Sequence, residues 1–190
     1  PLRLIHGLGL LRLERGDAGL HGVFASGFHQ LLEVVHRRRR RAPHGPAEGE
    51  LIMLRDYQVE AINNFLNNPQ SLQQIATGAG KTITTATLSH LTEPYGRSLV
   101  IVPNKSLVTQ TEEDYKNCGL DAGVYFGDRK ELNKTHTICT WQSLNILDKK
   151  FKDGSAVLSL AEFLDGVSTI IIDEVHQAKA EVLKNLLTRN

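Results

Sequence analysis

Seven residues, Ala76-Thr77-Gly78-Ala79-Gly80-Lys81-Thr82, constrain this chain more than any other stretch. Glycines at alternate positions let successive backbone N–H groups turn toward a common point. The stretch Lys81–Leu91 that follows is predicted to be helical despite its threonines, so that the positive end of a helix faces that same point. Such a loop works with a strand behind it and a helix ahead, which imposes an α/β architecture. Its chemistry suits a phosphate chain. The backbone of Thr77, Gly78, Ala79 and Gly80 would cradle the phosphates, Lys81 would reach the β- and γ-phosphates, and the Thr82 hydroxyl would hold Mg2+. The general pattern has glycine where this chain has Ile75, a departure that the run Thr-Gly-x-Gly-Lys-Thr tolerates.

A second signal stands far down the chain. Asp173-Glu174-Val175-His176 directly follows Ser168–Ile172, a continuous apolar run that reads as the strongest strand of the sequence. Two adjacent carboxylates at the end of a buried strand are costly without compensation. A metal ion on Asp173 compensates one, and Glu174 is then placed to orient and deprotonate an attacking water. The bland alternative is a polar strand end that caps the next helix. Together the two motifs belong at the carboxyl edge of one sheet and define a nucleotide hydrolysis site, with Lys81, Asp173 and Glu174 as its catalytic candidates.

Between these motifs, helix-like and strand-like stretches alternate. Val59, Ile62, Phe65 and Leu66 share a face of a helix over 57–67, with Asp56 as the expected N-cap. Residues 71–75 form a weak strand candidate because of two glutamines. Ser98–Val102 reads as a buried strand, after which Pro103 and Asn104 open a helix bearing Leu107, Val108, Thr111 and Tyr115. Residues 122–126 and 136–139 are short strand candidates. A last helix is expected over 179–188, stacking Val182, Leu183, Leu186 and Leu187.

Composition adds a boundary. Residues 1–50 hold eight Arg, eight Gly and five His but no Lys, Asn, Thr or Tyr, whereas residues 51–190 hold ten Lys, ten Asn and thirteen Thr. Net charge is +3 in the first part and −2 in the second, within a total of +1. Such a step matches GC-rich against AT-rich coding. It predicts that residues 1–50 are an Arg/Gly-rich extension, poorly structured or foreign to the domain at 51–190: a fusion, an assembly artefact or an over-extended reading frame. A chain that starts at Pro1, with its sole methionine at Met53, fits that expectation. The run His36–Arg41 reads as a solvated arm, Phe28–Val35 as a short helix, and Ala42–Pro46 as a linker. No stretch is apolar and long enough for a signal peptide or a membrane helix. Two cysteines, Cys118 and Cys139, suit a reducing compartment, so the expected setting is the cytoplasm.

The ordered half resembles a known family. Ala76–Thr82 resembles helicase motif I, and Asp173–His176 resembles motif II in its DExH form; as a pair they resemble the first RecA-like lobe of superfamily-two helicases and translocases. That resemblance implies an α/β fold with a mainly parallel sheet flanked by helices, ATP and Mg2+ as cofactors, and nucleic acid, DNA above all, as partner. Leu54-Arg55-Asp56-Tyr57-Gln58 resembles the family's upstream glutamine motif, which gives Gln58 and Arg55 the adenine edge; His176 belongs to the nucleotide set by the same likeness. Residues 102–107 with Gln110 resemble the motif that touches the nucleic-acid backbone, so Pro103, Asn104, Lys105 and Gln110 are contact candidates. Thr140 and Gln142 are candidates through the stretch Thr140–Leu144, in which Trp141 reads as core.

Within the superfamily the likeness is to UvsW-type recombination and fork-remodelling helicases of T-even-like phages, which would place the protein in a host cytoplasm. XPB-like and RecG-like enzymes and restriction motors are neighbouring types. Motors of this kind close the nucleotide site with a second RecA-like lobe carrying arginines, and the sequence ends at Asn190 before any such motif, so the chain by itself is expected to be nearly inactive. Two rival readings are a P-loop ATPase without a nucleic-acid role and a truncated nucleotide-binding fragment with no useful turnover.

Overall fold

The structure is a computed structural model and describes residues 8–12, 54–68, 70–76 and 78–174. Its elements in chain order are β1 (Leu8–Arg12), α1 (Asp56–Asn67), β2 (Gln70–Gln73), α2 (Lys81–Thr92), a single 3-10 turn (Glu93–Tyr95), β3 (Arg97–Val102), α3 (Lys105–Asn117), β4 (Ala122–Phe126), β5 (Arg129–Lys130), β6 (His136–Thr140), α4 (Trp141–Lys152), α5 (Leu160–Phe163) and β7 (Val167–Ile172). The strands form one sheet in the order β2-β1-β7-β3-β6-β4-β5.

Four central strands, β7, β3, β6 and β4, are mutually parallel. Their residues are buried at nearly every position, the polar His136, Thr137 and Thr140 of β6 included, because both sheet faces are covered. Alternation then divides them. Leu99, Ile101, Cys139, Ile170 and Ile172 pack with Trp141, Leu144 and Leu147 of α4 and with Leu160 and Phe163 of α5. On the other face, Val100, Val102, Val124 and Ile138 pack against Ala86 of α2 and Val108 and Tyr115 of α3, while Ile171 packs with Leu88, Leu91 and the α1 residues Ala61, Ile62 and Phe65. The α3 connection crosses from β3 to β4 on one face, and the α4–α5 connection crosses from β6 to β7 on the other.

The expected helices and strands of residues 55–172 are present, with end shifts of a residue or two. One correction falls at the start of α1. Arg55, not Asp56, is the N-cap residue, because the Gln58 side-chain oxygen accepts the Arg55 backbone N–H at 2.8 Å and Asp56 is already helical. Helices α4 and α5 and the short hairpin strand β5 are additional to the sequence reading. The expected last helix, the helix at 28–35 and the arginine run lie outside the described residues, as do Thr77 and His176.

The extension also differs from expectation at one place. Leu8–Arg12 lies within the sheet, antiparallel to β2 on one side and to β7 on the other. Both neighbours offer an open row of backbone donors and acceptors there, and one extended segment satisfies both. Two antiparallel pairings in succession make β2 run in the direction of β7. The loops after β2, β3, β6 and β7 therefore all open at one edge of the sheet, which is where the motifs of the sequence sit.

Cys118 and Cys139 are free. Burial pushes the Cys139 thiol well above its ordinary range. Among the described residues no helix is long and apolar enough to cross a membrane.

Candidate active site

The glycine loop takes the shape its residues allow. Gly78 and Gly80 both have φ of 77°, a left-handed conformation that glycine adopts without penalty. Gly80 is also confined sterically, since a Cβ there would lie 2.5 Å from Gln58 Nε2. The turn closes with Ala79 N–H donating to Ala76 O at 3.2 Å. Helix α2 starts at the next residue, so Lys81 and Thr82 occupy its first turn, and the Thr84 hydroxyl donates back to the Gly80 carbonyl at 3.2 Å.

The loop is held from the α1 side. Gln58, only 4% exposed, donates its amide to the carbonyls of Ala79 at 3.1 Å and Gly80 at 3.3 Å. Tyr57 donates its hydroxyl to the same Ala79 carbonyl at 2.8 Å and receives Arg55 Nη1 at 3.3 Å. Fixing these carbonyls outward leaves the N–H side of the loop for an anion. Sequence reasoning missed Tyr57, and no residue pattern marked it, because neighbours on a helix point 100° apart and Gln58 already accounted for the motif.

The decisive geometry joins the two motifs. Lys81 Nζ donates to Glu174 Oε1 at 2.5 Å and stands 3.6 Å from Asp173 Oδ1, across more than ninety residues of sequence. The three side chains are 15%, 13% and 23% exposed, for Lys81, Glu174 and Asp173 in turn. Asp173 continues the ladder of β7, its N–H donating to Ile101 O at 2.8 Å. Glu174 then leaves the strand with φ of 51°, the positive value that side-chain-bearing residues avoid. The Asp173 carboxylate accepts the Glu174 N–H at 3.0 Å and so stabilises the turn. This strained backbone turns the Glu174 side chain onto Lys81.

Burial, the largest influence on Lys81, would pull its ammonium below the ordinary value, but the hydrogen bond to Glu174 and the charge of Asp173 outweigh it and hold it above. Burial pushes the Asp173 carboxyl up; Lys81 opposes this and the Glu174 charge adds to it. Among the described residues, Lys81 is the cation that meets both carboxylates. A divalent cation fits their donors, which are hard oxygens of the kind Mg2+ takes. Among the described residues no group of three or more His, Cys, Asp or Glu gathers into an all-protein metal cage.

The expected nucleic-acid residues line the same edge. Asn104 and Lys105 at the β3–α3 junction and Gln110 within α3 are exposed, and Pro103 is half-buried. Asn104 also caps α3, accepting the Leu107 N–H at 3.0 Å. On the next loop Gln142 is exposed, whereas Thr140 is buried and spends its hydroxyl on capping α4, accepting the Ser143 N–H at 3.2 Å. Trp141 is 6% exposed and belongs to the core.

A doubly wound sheet with a phosphate loop after one strand and an Asp-Glu pair after another, paired through the loop lysine, is the first RecA-like lobe of a superfamily-two helicase. The chain belongs to the family of the type III restriction enzyme res subunit, whose model matches residues 51–190. It is 29% identical over 137 residues to the DNA 3'-5' translocase XPB2 of Sulfurisphaera tokodaii, covering 72% of this chain and 28% of that protein. It is 31% identical over 135 residues to the DNA 3'-5' helicase XPB of Kineococcus radiotolerans, covering 69% of this chain and 23% of that one. The match thus spans less than a third of either relative's length. In fold it is similar to the crystal structure of the UvsW helicase from bacteriophage T4, with a TM-score of 0.62 and 17% identity over 90% of this chain and 65% of that one.

Proposed function

We propose that residues 51–190 form the ATP-binding lobe of a motor that hydrolyses ATP to move along or remodel nucleic acid, with DNA as the track. The observation that carries this reading is the Lys81–Glu174 contact at 2.5 Å with Asp173 beside it. A phosphate-binding lysine beside a potential general base is an arrangement that suits transfer of a nucleotide's terminal phosphoryl group. Both curated relatives are named as DNA motors, which supports DNA over RNA.

In this reading the loop N–H groups and Lys81 bind the phosphates, and Gln58 with Arg55 stands on the adenine side. Thr82 and Asp173 would hold Mg2+, which would neutralise phosphate charge. Once the triphosphate draws Lys81 away, Glu174 exchanges that hydrogen bond for one to water, which it orients and whose proton it accepts. The γ-phosphoryl group develops charge on the side facing away from Lys81, where a second RecA-like lobe would present an arginine. Pro103, Asn104, Lys105, Gln110, Thr140 and Gln142 form the strand-facing edge, with Thr140 acting through the helix end that it caps. His176 belongs to the nucleotide set through its motif. Residues 1–50 precede the family match, which begins at residue 51, and Leu8–Arg12 lends its sheet a strand between β2 and β7. The likeness to a phage helicase and a cytoplasmic setting belong to the same reading.

Glu174→Gln tests the core of it. The variant should keep Mg–ATP binding while single-turnover hydrolysis falls by about 10²–10⁴, the usual contribution of a positioned base. Unchanged hydrolysis would remove Glu174 from the mechanism. Stimulation of wild-type turnover by single-stranded DNA separates a nucleic-acid motor from an ATPase with another task.

A further inference from the structure

The α2 and α3 helices touch through a second set of residues that the hydrolysis site does not use. Tyr115 of α3 is fully buried, and its hydroxyl shares a hydrogen bond with Ser89 Oγ of α2 at 2.9 Å. Ser89 is itself fully buried. The Tyr115 ring lies among Ala86, Val108, Val124 and Ile138, and its edge meets the ring of His136 with centroids 5.8 Å apart. Thr85, one helical turn before Ser89, is also buried. It donates to the Thr82 carbonyl at 2.8 Å, in the first turn of α2. Along α2, then, Thr85 bonds back to the first turn and Ser89 bonds across to α3.

Apolar residues of both helices, Ala86 of α2 and Val108 of α3, share one core cluster. Apolar contacts of this kind are non-directional. A buried hydroxyl pair is different. Leaving either hydroxyl without its partner costs about 1–3 kcal/mol, so the bond resists displacement of one helix along the other. Both helices begin at the motif-bearing edge, α2 with Lys81 and α3 with Lys105. At 1.5 Å per residue, Ser89 lies about 12 Å along α2 from Lys81, and Tyr115 about 15 Å along α3 from Lys105. The bond thus ties the far ends of two helices whose near ends carry different ligands.

We propose that Tyr115 is a positioning residue that couples nucleotide binding at the start of α2 to nucleic-acid binding at the start of α3, through its buried hydrogen bond to Ser89. The proposal rests on the motor reading above. Displacement of α2 when phosphates bind Lys81 and Thr82 is passed to α3 because the two helices move as one. Neither hydroxyl touches either ligand, so neither contributes directly to affinity.

The test measures the dissociation constant of the full chain for a single-stranded DNA oligonucleotide, with and without a non-hydrolysable Mg–ATP analogue. The wild type should show a ratio of at least about fivefold, the low end of ordinary coupling between sites. Tyr115→Phe, which keeps the ring, should bind each ligand alone within about twofold of wild type yet bring the ratio below about twofold. Ser89→Ala should do the same, and the double variant should lose nothing further, as expected of a single interaction. A thermal midpoint that drops while the ratio survives in both variants would overturn the proposal and leave the bond a packing feature. A wild type that binds both ligands without coupling overturns it equally. A wild type that binds neither ligand overturns the motor reading on which it stands.

Discussion

At the scale of single residues, the site depends on side chains with unequal tasks. Lys81 faces the most concentrated charge of a triphosphate, whereas Gln58 is buried against loop carbonyls. Lys81→Ala should therefore weaken ATP binding by at least tenfold more than Gln58→Ala, a difference of about 1.4 kcal/mol or more in a titration calorimeter. Gln58→Ala should erode the preference for ATP over GTP. Equal losses for both nucleotides would instead limit Gln58 to supporting Ala79 and Gly80, a role its hydrogen bonds already describe. Glu174 shows why a residue's chemistry and its backbone have to be read together. Its carboxylate was legible as a candidate base from the sequence, but the positive φ that turns it onto Lys81 follows from how β7 ends and was not legible.

Among the elements, α3 is fixed to the β4–β5 hairpin by charge. Arg129 of β5 grips both oxygens of the buried Glu112 at 2.8 Å, and Lys116 reaches the same carboxylate at 2.5 Å. The Arg129 hydrogen bonds are the main cause that holds the Glu112 carboxyl down at about 2, against an ordinary value of 4.5. A depressed carboxyl contributes stability that is present above its unfolded value and is lost as pH falls through the folded one. The window is thus from about 4.5 down to about 2. Glu112→Gln should flatten the fall of the thermal midpoint across the accessible upper part of that window. At neutral pH it should cost about 1 kcal/mol, a modest figure because Arg129 and Lys116 are half in water. A midpoint whose pH dependence is unchanged would remove the cluster from the stability of α3. Sequence showed α3 through the spacing of Leu107, Val108, Thr111 and Tyr115, but nothing in it pairs Glu112 with Arg129. Helix α4 was legible in principle, since Trp141, Leu144 and Leu147 recur at helical spacing; reading the stretch as a motif hid it.

Across the whole molecule, the sheet brings together what the chain separates. β1 bears on this most, because it stands between the strand that leads into the phosphate loop and the strand that ends in Asp173. Deleting residues 1–50 should lower the thermal midpoint, since β2 and β7 both lose their backbone partners on that side. Affinity for an ATP analogue should stay within about threefold, a change of under 1 kcal/mol, because every proposed nucleotide contact lies beyond residue 50. A collapse of nucleotide affinity with the fold intact would make β1 part of the site and refute the composition-based boundary.

What the sequence determined by itself was local. Glycine spacing specified a loop of left-handed turns, continuous apolar runs specified strands buried on both faces, and the Thr-Gly-Ala-Gly-Lys-Thr and Asp-Glu pairs specified chemistry, because each of these depends on residues within a few positions of one another. Tertiary structure decided the rest: that Lys81 meets Glu174, that Tyr57 and Gln58 hold the loop, that Tyr115 bonds Ser89, and that Leu8–Arg12 enters the sheet. Each of these is a contact between segments far apart in the chain. Such contacts are selected by the packing of a common core and by the need to pair every buried polar group, and no short window of sequence contains both partners.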